Sequence, residues 1–219
     1  MEEIIQLDKQ LLLLLNGSDS LFFDSLIMTL TTATTWIPLY VALLYVVIKA
    51  NANVRGVLLV LAAAGCCALL AGGVDDTFVK PGVARWRPTH DPEIGMLIDT
   101  VNGYRGGNYG FFSAHAANTF SIAVFLSLLM RQRLLTVFLI AWSLINCYTR
   151  MYLGVHYPGD ITVGLLWGGL VGTAVYFVHR RLAPPATYLL KDCYVPIAVL
   201  CLTFLVAVIK AIVDAYSFS

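Results

Sequence analysis

Two of the four histidines in this chain, His115 and His156, lie in short polar islands that interrupt an otherwise lipid-soluble sequence. The islands read Lys80-Pro81-Gly82-Val83-Ala84-Arg85-Trp86-Arg87-Pro88, then Ser113-Ala114-His115, then Thr149-Arg150 followed by His156-Tyr157-Pro158-Gly159-Asp160. Ionisable side chains at membrane depth are costly, so a cluster of them marks a site. The chemistry they suit is anionic. Lys80, Arg87 and Arg150 offer fixed positive charge for a phosphate, and two imidazoles can move protons or attack phosphorus.

Spacing adds detail. Lys80 and Arg87 are seven residues apart, two helical turns or a helix end plus its following loop, and either arrangement can aim both at one anion. Arg150 offers a planar fork suited to bidentate phosphate binding. Ser113 precedes a new apolar helix, where a hydroxyl and free backbone N–H groups form an anion cradle. His156 and Asp160 are four residues apart, with Pro158 between them where a new helix would begin. A carboxylate so placed can fix an imidazole's tautomer and raise its nucleophilicity.

The elements that must position these groups are membrane helices. Of the 219 residues 59% are hydrophobic and 12% charged, against about 25% charged in soluble domains. A net charge of +1 gives no case for nucleic acid. Hydropathy predicts six spans near 26–48, 54–77, 113–130, 134–151, 159–179 and 195–216, each close to the roughly 20 residues a crossing needs. About 1–20 reads as an interfacial helix ended by Asn16-Gly17-Ser18, without a cleavage site for a signal peptide. The expectation is one membrane domain over 1–219. Cys66, Cys67, Cys147, Cys193 and Cys201 lie in or beside apolar segments, which indicates neither disulfides nor zinc.

Lys49 and Arg55, Arg131 and Arg133, and Arg180, Arg181 and Lys191 mark the first, third and fifth connections as the cytoplasmic ones. The islands and both termini then face outward. The 14 basic residues divide evenly between the sides, but Lys80, Arg85, Arg87 and Arg150 sit in islands where a site would hold them whatever the topology. The longest connection, roughly 78–112, is Gly-rich and would form a lid or substrate access over the site.

Three blocks in this order, K-x6-R-P, S-x-H and R-x5-H-x3-D, resemble the signature of the type 2 phosphatidic acid phosphatase family, which is shared with vanadium haloperoxidases. The resemblance implies a haloperoxidase-like all-α bundle, here an integral membrane protein of six transmembrane helices, and a lipid phosphatase independent of magnesium and of any cofactor. Matched residue by residue, it implies His156 as nucleophile with Asp160 orienting it, and His115 as general acid. It implies Lys80, Arg87, Ser113, the Ala114 N–H and Arg150 as phosphate ligands. The family's middle block usually reads Pro-Ser-Gly-His where this chain has Phe112-Ser113-Ala114-His115, and Thr149 replaces a usual serine; neither change removes a reacting group.

The expected substrates are lipid phosphates. An outward site in a bacterial inner membrane ranks undecaprenyl diphosphate and lipid A phosphate ahead of phosphatidylglycerol phosphate and phosphatidate. Two rivals remain: a lipid-to-lipid phosphotransferase, and a non-catalytic lipid-binding protein, which would need cations but no nucleophile–acid pair. Haloperoxidase activity belongs to soluble relatives. Oligomeric state is not legible.

Other residues carry plainer readings. His90, His179 and Arg85 read as solvated or interfacial, and Asp75 and Asp76 as the water boundary. Lys210 reads as snorkelling or paired with Asp214. Asn146 reads as a helix–helix hydrogen bond, and Trp36, Tyr40, Trp167 and Tyr176 as packing and interface residues. Asp91 and Arg105 are weaker candidates for touching a substrate headgroup.

Overall fold

The computed structural model describes residues 2–217. It is all-helical, with no strand among the described residues. We number the helices α1 (Glu2–Leu15), α2 (Leu21–Thr31), α3 (Ile37–Ala50), α4 (Val54–Val83), α5 (Ala114–Met130), α6 (Arg133–Tyr152), α7 (Pro158–Leu182) and α8 (Leu190–Ser217). Among the described residues five helical stretches are long and apolar enough to cross a membrane: Ala33–Ala50, α4, α6, α7 and α8. Their outer faces carry exposed apolar side chains such as Val41, Leu58, Val137, Leu166 and Leu202. The apolar helices α2 and α5 are shorter. The 17 residues of α5 reach about 25 Å at 1.5 Å per residue.

The expected first span, 26–48, is not one helix. The chain breaks at Thr32, which lies in extended backbone between α2 and a 3-10 turn over Ala33–Trp36. Hydroxyls cause the break. Thr32 Oγ1 donates to the Met28 carbonyl at 2.8 Å and Thr35 Oγ1 to the Thr29 carbonyl at 2.7 Å, giving the backbone partners other than the next helical turn. The expected second span, 54–77, runs on to Val83 through π-helical stretches at Leu69–Gly73 and Asp75–Val79. Trp167 Nε1 donates to the Leu70 carbonyl there at 3.0 Å, meeting the need for internal hydrogen bonding in an apolar medium. This indole is thus more than an interface residue.

Close packing of α5 on α7 sets the geometry of the site. Gly164, Gly168 and Gly172 recur every four residues along α7 and face the α5 backbone. A Cβ on Gly164 would lie 2.8 Å from the Ser113 carbonyl oxygen, and one on Gly168 2.5 Å from that of Ala117. Small residues at this spacing let membrane helices approach through their backbones. Gly168→Val should therefore destabilise the fold by about 1–3 kcal/mol, lowering the thermal midpoint in detergent by about 2–4 °C per kcal/mol. Gly65→Ala, where an added Cβ meets nothing within 4 Å, should leave it unchanged or slightly raised. Equal midpoints for the two variants would refute the packing role.

Candidate active site

The islands meet at one end of the bundle, and local structure explains how. After α4 the chain turns through Ala84, at φ 49°, into an extended stretch. Arg87 N–H donates to the Asn108 carbonyl and Gly110 N–H to the Arg85 carbonyl, both at 2.9 Å, around a Trp86–Tyr109 bridge. Alternation along this stretch puts Arg85 and Arg87 on one side, facing His156 and Asp160. Trp86 packs on the Tyr109 ring at 5.1 Å.

Arg87 Nε donates to the Tyr109 carbonyl at 3.1 Å, and its Nη1 lies 3.3 Å from both the Val155 carbonyl and His156 Nε2. A guanidinium only donates, so this contact assigns the Nε2 lone pair as acceptor and the imidazole proton to Nδ1. His156 is 2% exposed. Burial, then the nearby cations Arg87, Arg150 and Lys80, hold its pKa well below the ordinary histidine value. The ring is accordingly neutral at physiological pH, with a free lone pair once Arg87 moves to an incoming anion.

Asp160 stands behind it, its Oδ2 3.6 Å from His156 Nδ1, just beyond hydrogen-bond length. The same oxygen accepts from Tyr157 N–H at 3.0 Å, capping α7, and Pro158 at the first helical position pre-sets the turn. Ser113 N–H donates to the Asp160 carbonyl at 3.1 Å, and Ser113 Oγ accepts from Ala116 N–H at 3.4 Å as the cap of α5. Ala114 and His115 thus occupy the first turn, whose N–H groups have no acceptor within the helix.

His115 shares its local field with Arg150, His156, Arg87 and Lys80. It borders a cavity of about 190 Å³ with Thr31, Trp36, Tyr40, Asn118, Thr119 and Asn146. Arg150 is buried; its Nη1 donates to Thr31 Oγ1 at 2.6 Å and its Nη2 to the Tyr104 hydroxyl at 3.0 Å. Its Nε has no partner in the structure, which leaves a donor for a ligand. Lys80 pairs with Asp75 at 3.0 Å and with Asp76.

Several plain readings need correction. Arg85 is not solvated: it donates to Asp160 Oδ1 and to Asp8 Oδ2, each at 2.7 Å, and stacks 4.1 Å over the Tyr157 ring. Burial alone would weaken its hold on the proton, but Asp160 and Asp8 outweigh that and move its pKa up. Asp75 is no boundary marker either. It is fully buried and accepts from Phe112 N–H at 3.1 Å. Asp91 accepts from the Tyr157 hydroxyl at 2.8 Å and pairs with Lys9, so its partners are structural. Asn146 bonds the Trp142 carbonyl of its own helix at 2.9 Å rather than a neighbouring helix.

Helix α1 enters the site unexpectedly. Asp8 Oδ1 accepts from Gly159 N–H at 2.7 Å while Oδ2 holds Arg85. The sequence signal was an Asp8-Lys9 pair in the middle of an otherwise Leu-rich helix. The chain Asp8–Arg85–Asp160 steadies the carboxylate behind His156. Replacing Arg85 by Met leaves two acids unpaired and should lower kcat by about 10- to 100-fold with little change in KM, while Arg85→Lys recovers part of the loss. A kcat in Arg85→Met equal to wild type would remove Arg85 from the site.

The loop after α4, expected as a lid, packs as a cap with its own small cores. Ile94 and Ile98 join Leu12 and Tyr157, and Val101 joins Ile27, Tyr152, Leu153 and Val155.

Comparison with known proteins agrees with the three blocks. Residues 53–184 match the model of the PAP2 superfamily. The chain is similar to a lipid A 4'-phosphatase of Bacteroides thetaiotaomicron, 40% identical over 183 residues that cover 83% of this chain and 80% of the relative. It is 34% identical to a lipid A 4'-phosphatase of Porphyromonas gingivalis over 82% of this chain and 75% of that one. A decaprenylphosphoryl-5-phosphoribose phosphatase of Mycobacterium tuberculosis is 34% identical over 51% of this chain and 57% of its own length. No solved structure matches.

Proposed function

The chain belongs to the PAP2 superfamily, and from that premise we propose that it is a metal-independent lipid phosphatase that removes a phosphate ester from lipid A through a phosphohistidine on His156. The observation that carries this reading is the meeting of Arg87, His156 and Asp160, with the guanidinium 3.3 Å from the Nε2 lone pair that would attack. Fixed cations at that position neutralise the equatorial oxygens of a phosphoryl group.

In the first step His156 Nε2 attacks phosphorus, the N–P bond forms and the P–O bond to the lipid breaks. His115, able to carry a proton once the substrate phosphate offsets the cations around it, gives that proton to the departing alkoxide. Arg87, Arg150, Lys80, Ser113 and the Ala114 N–H hold the phosphoryl oxygens, and Lys80 shifts part of its charge from Asp75 and Asp76 to do so. Asp160 steadies the positive charge that grows on the attacked imidazole. In the second step water attacks phosphorus, His115 takes its proton, and phosphate leaves with His156 restored.

We read the chain as one domain of a bacterial inner membrane protein with this end facing outward, and α5 as a sixth crossing packed between α4, α6 and α7. Its similarity to lipid A 4'-phosphatases over most of both chains moves lipid A phosphate ahead of undecaprenyl diphosphate. Purified protein with EDTA, offered lipid A, undecaprenyl diphosphate, phosphatidylglycerol phosphate and phosphatidate side by side, should release phosphate fastest from lipid A. Faster release from another of the four would overturn the substrate, and label moving into a second lipid would make the protein a phosphotransferase.

A further inference from the structure

At the far end of α7, His179 lies about 28 Å along the helix from Asp160 by its rise of 1.5 Å per residue. It is 8% exposed, and neither ring nitrogen has a hydrogen-bond partner. An imidazole always presents donor or acceptor nitrogens, and leaving them unmet in a buried place is costly. The Phe125 ring stands edge-on to it at 5.7 Å, which supplies packing but no acceptor.

Two concavities meet at His179. One, of about 410 Å³, is lined by Arg131, Arg180, Tyr176, Tyr188 and Asn51. Arg131 donates to the Tyr176 hydroxyl at 3.0 Å. Among the described residues no carboxylate is paired with either arginine. The other, of about 290 Å³, runs between α4 and α7 over Leu59, Ala62, Cys66, Leu70, Ala174 and Val178 and is almost wholly apolar. The first is cationic and the second matches a hydrocarbon chain.

We propose that this is a second lipid site, in which the phosphate of an anionic phospholipid sits against Arg131, Arg180 and His179 while an acyl chain fills the α4–α7 groove. Charge-assisted hydrogen bonds to the guanidinium groups favour phosphate, and the shared histidine sets headgroup pocket and chain groove side by side. That adjacency favours a lipid over free phosphate. The proposal stands independently of the catalytic reading, since none of these residues lies near the islands.

Native mass spectrometry of the full-length protein, exchanged into equal phosphatidylglycerol and phosphatidylcholine, tests it. Wild type should retain phosphatidylglycerol preferentially. Arg131→Gln with Arg180→Gln should cut that preference about tenfold, the equivalent of roughly 1.4 kcal/mol. Ala174→Trp, which fills the groove and leaves the arginines intact, should reduce lipid retention as strongly. All variants should keep wild-type turnover of a soluble short-chain phosphate ester, which shows that they fold. No phosphatidylglycerol preference in wild type, or an unchanged preference in the double variant, overturns the site. Full lipid retention in Ala174→Trp, with inorganic phosphate displacing the lipid, overturns the assignment to a lipid in favour of a free anion.

Discussion

Replacing His156 by alanine is expected to lower phosphate release by roughly 10⁴- to 10⁶-fold, the scale on which a removed nucleophile is felt. No other group in the cluster can substitute. In the proposed mechanism His115, in the first turn of α5, is the proton donor, and the histidine that the Arg87 guanidinium meets is His156. Because the side chain is 2% exposed, the variant needs a partner that keeps its volume. His156→Gln should be equally inactive while retaining the wild-type thermal midpoint. Both assays run with EDTA, in which wild type should keep its full rate. Substantial turnover by either variant would disprove covalent catalysis at this position.

The second large effect is expected at His115 and depends on the leaving group. With a lipid alcohol, whose alkoxide needs a proton, His115→Gln should slow the first turnover by about 10²- to 10⁴-fold, the contribution usual for general acid catalysis. With an aryl phosphate, whose phenolate departs unaided, the first turnover should fall by no more than about tenfold. An equal loss on both substrates would mean that His115 binds or packs and transfers no proton. The distinction is accessible because the ring borders the cavity beside Thr31 and Asn118, where a departing alcohol can be held.

The proposed reacting groups could be read from the sequence because their chemistry is expensive in a membrane. A lysine, two arginines, two histidines and an aspartate in an apolar chain have few reasons to exist, and their order and spacing carried the rest. What surrounds them was less legible, for physical reasons. Hydropathy averages over a window, so residues 26–48 read as one apolar run, and the break at Thr32 depended on side-chain hydroxyls competing for carbonyls. That break matters to the site, since it delivers Thr31 to Arg150.

Arg85 looked idle because it matches no reacting position, yet the alternation of the extended stretch after α4 puts residue 85 on the same side as Arg87. Asp8 was hidden by distance along the chain: nothing local says that an interfacial helix will fold back onto Gly159 and Arg85. The recurrence of Gly164, Gly168 and Gly172 was visible as a four-residue period of small residues, and would have predicted the α5–α7 contact that brings Ser113 to Asp160.

The central claim is a phosphoryl group carried on His156. The most direct test is rapid mixing of the His115→Gln variant with a labelled aryl phosphate. Loss of the general base should let the first step proceed and stall the second. We expect a burst of phenolate equal to the enzyme concentration, and alkali-stable, acid-labile label on the peptide containing His156. A linear time course with unlabelled protein, or label on any other residue, would contradict the account.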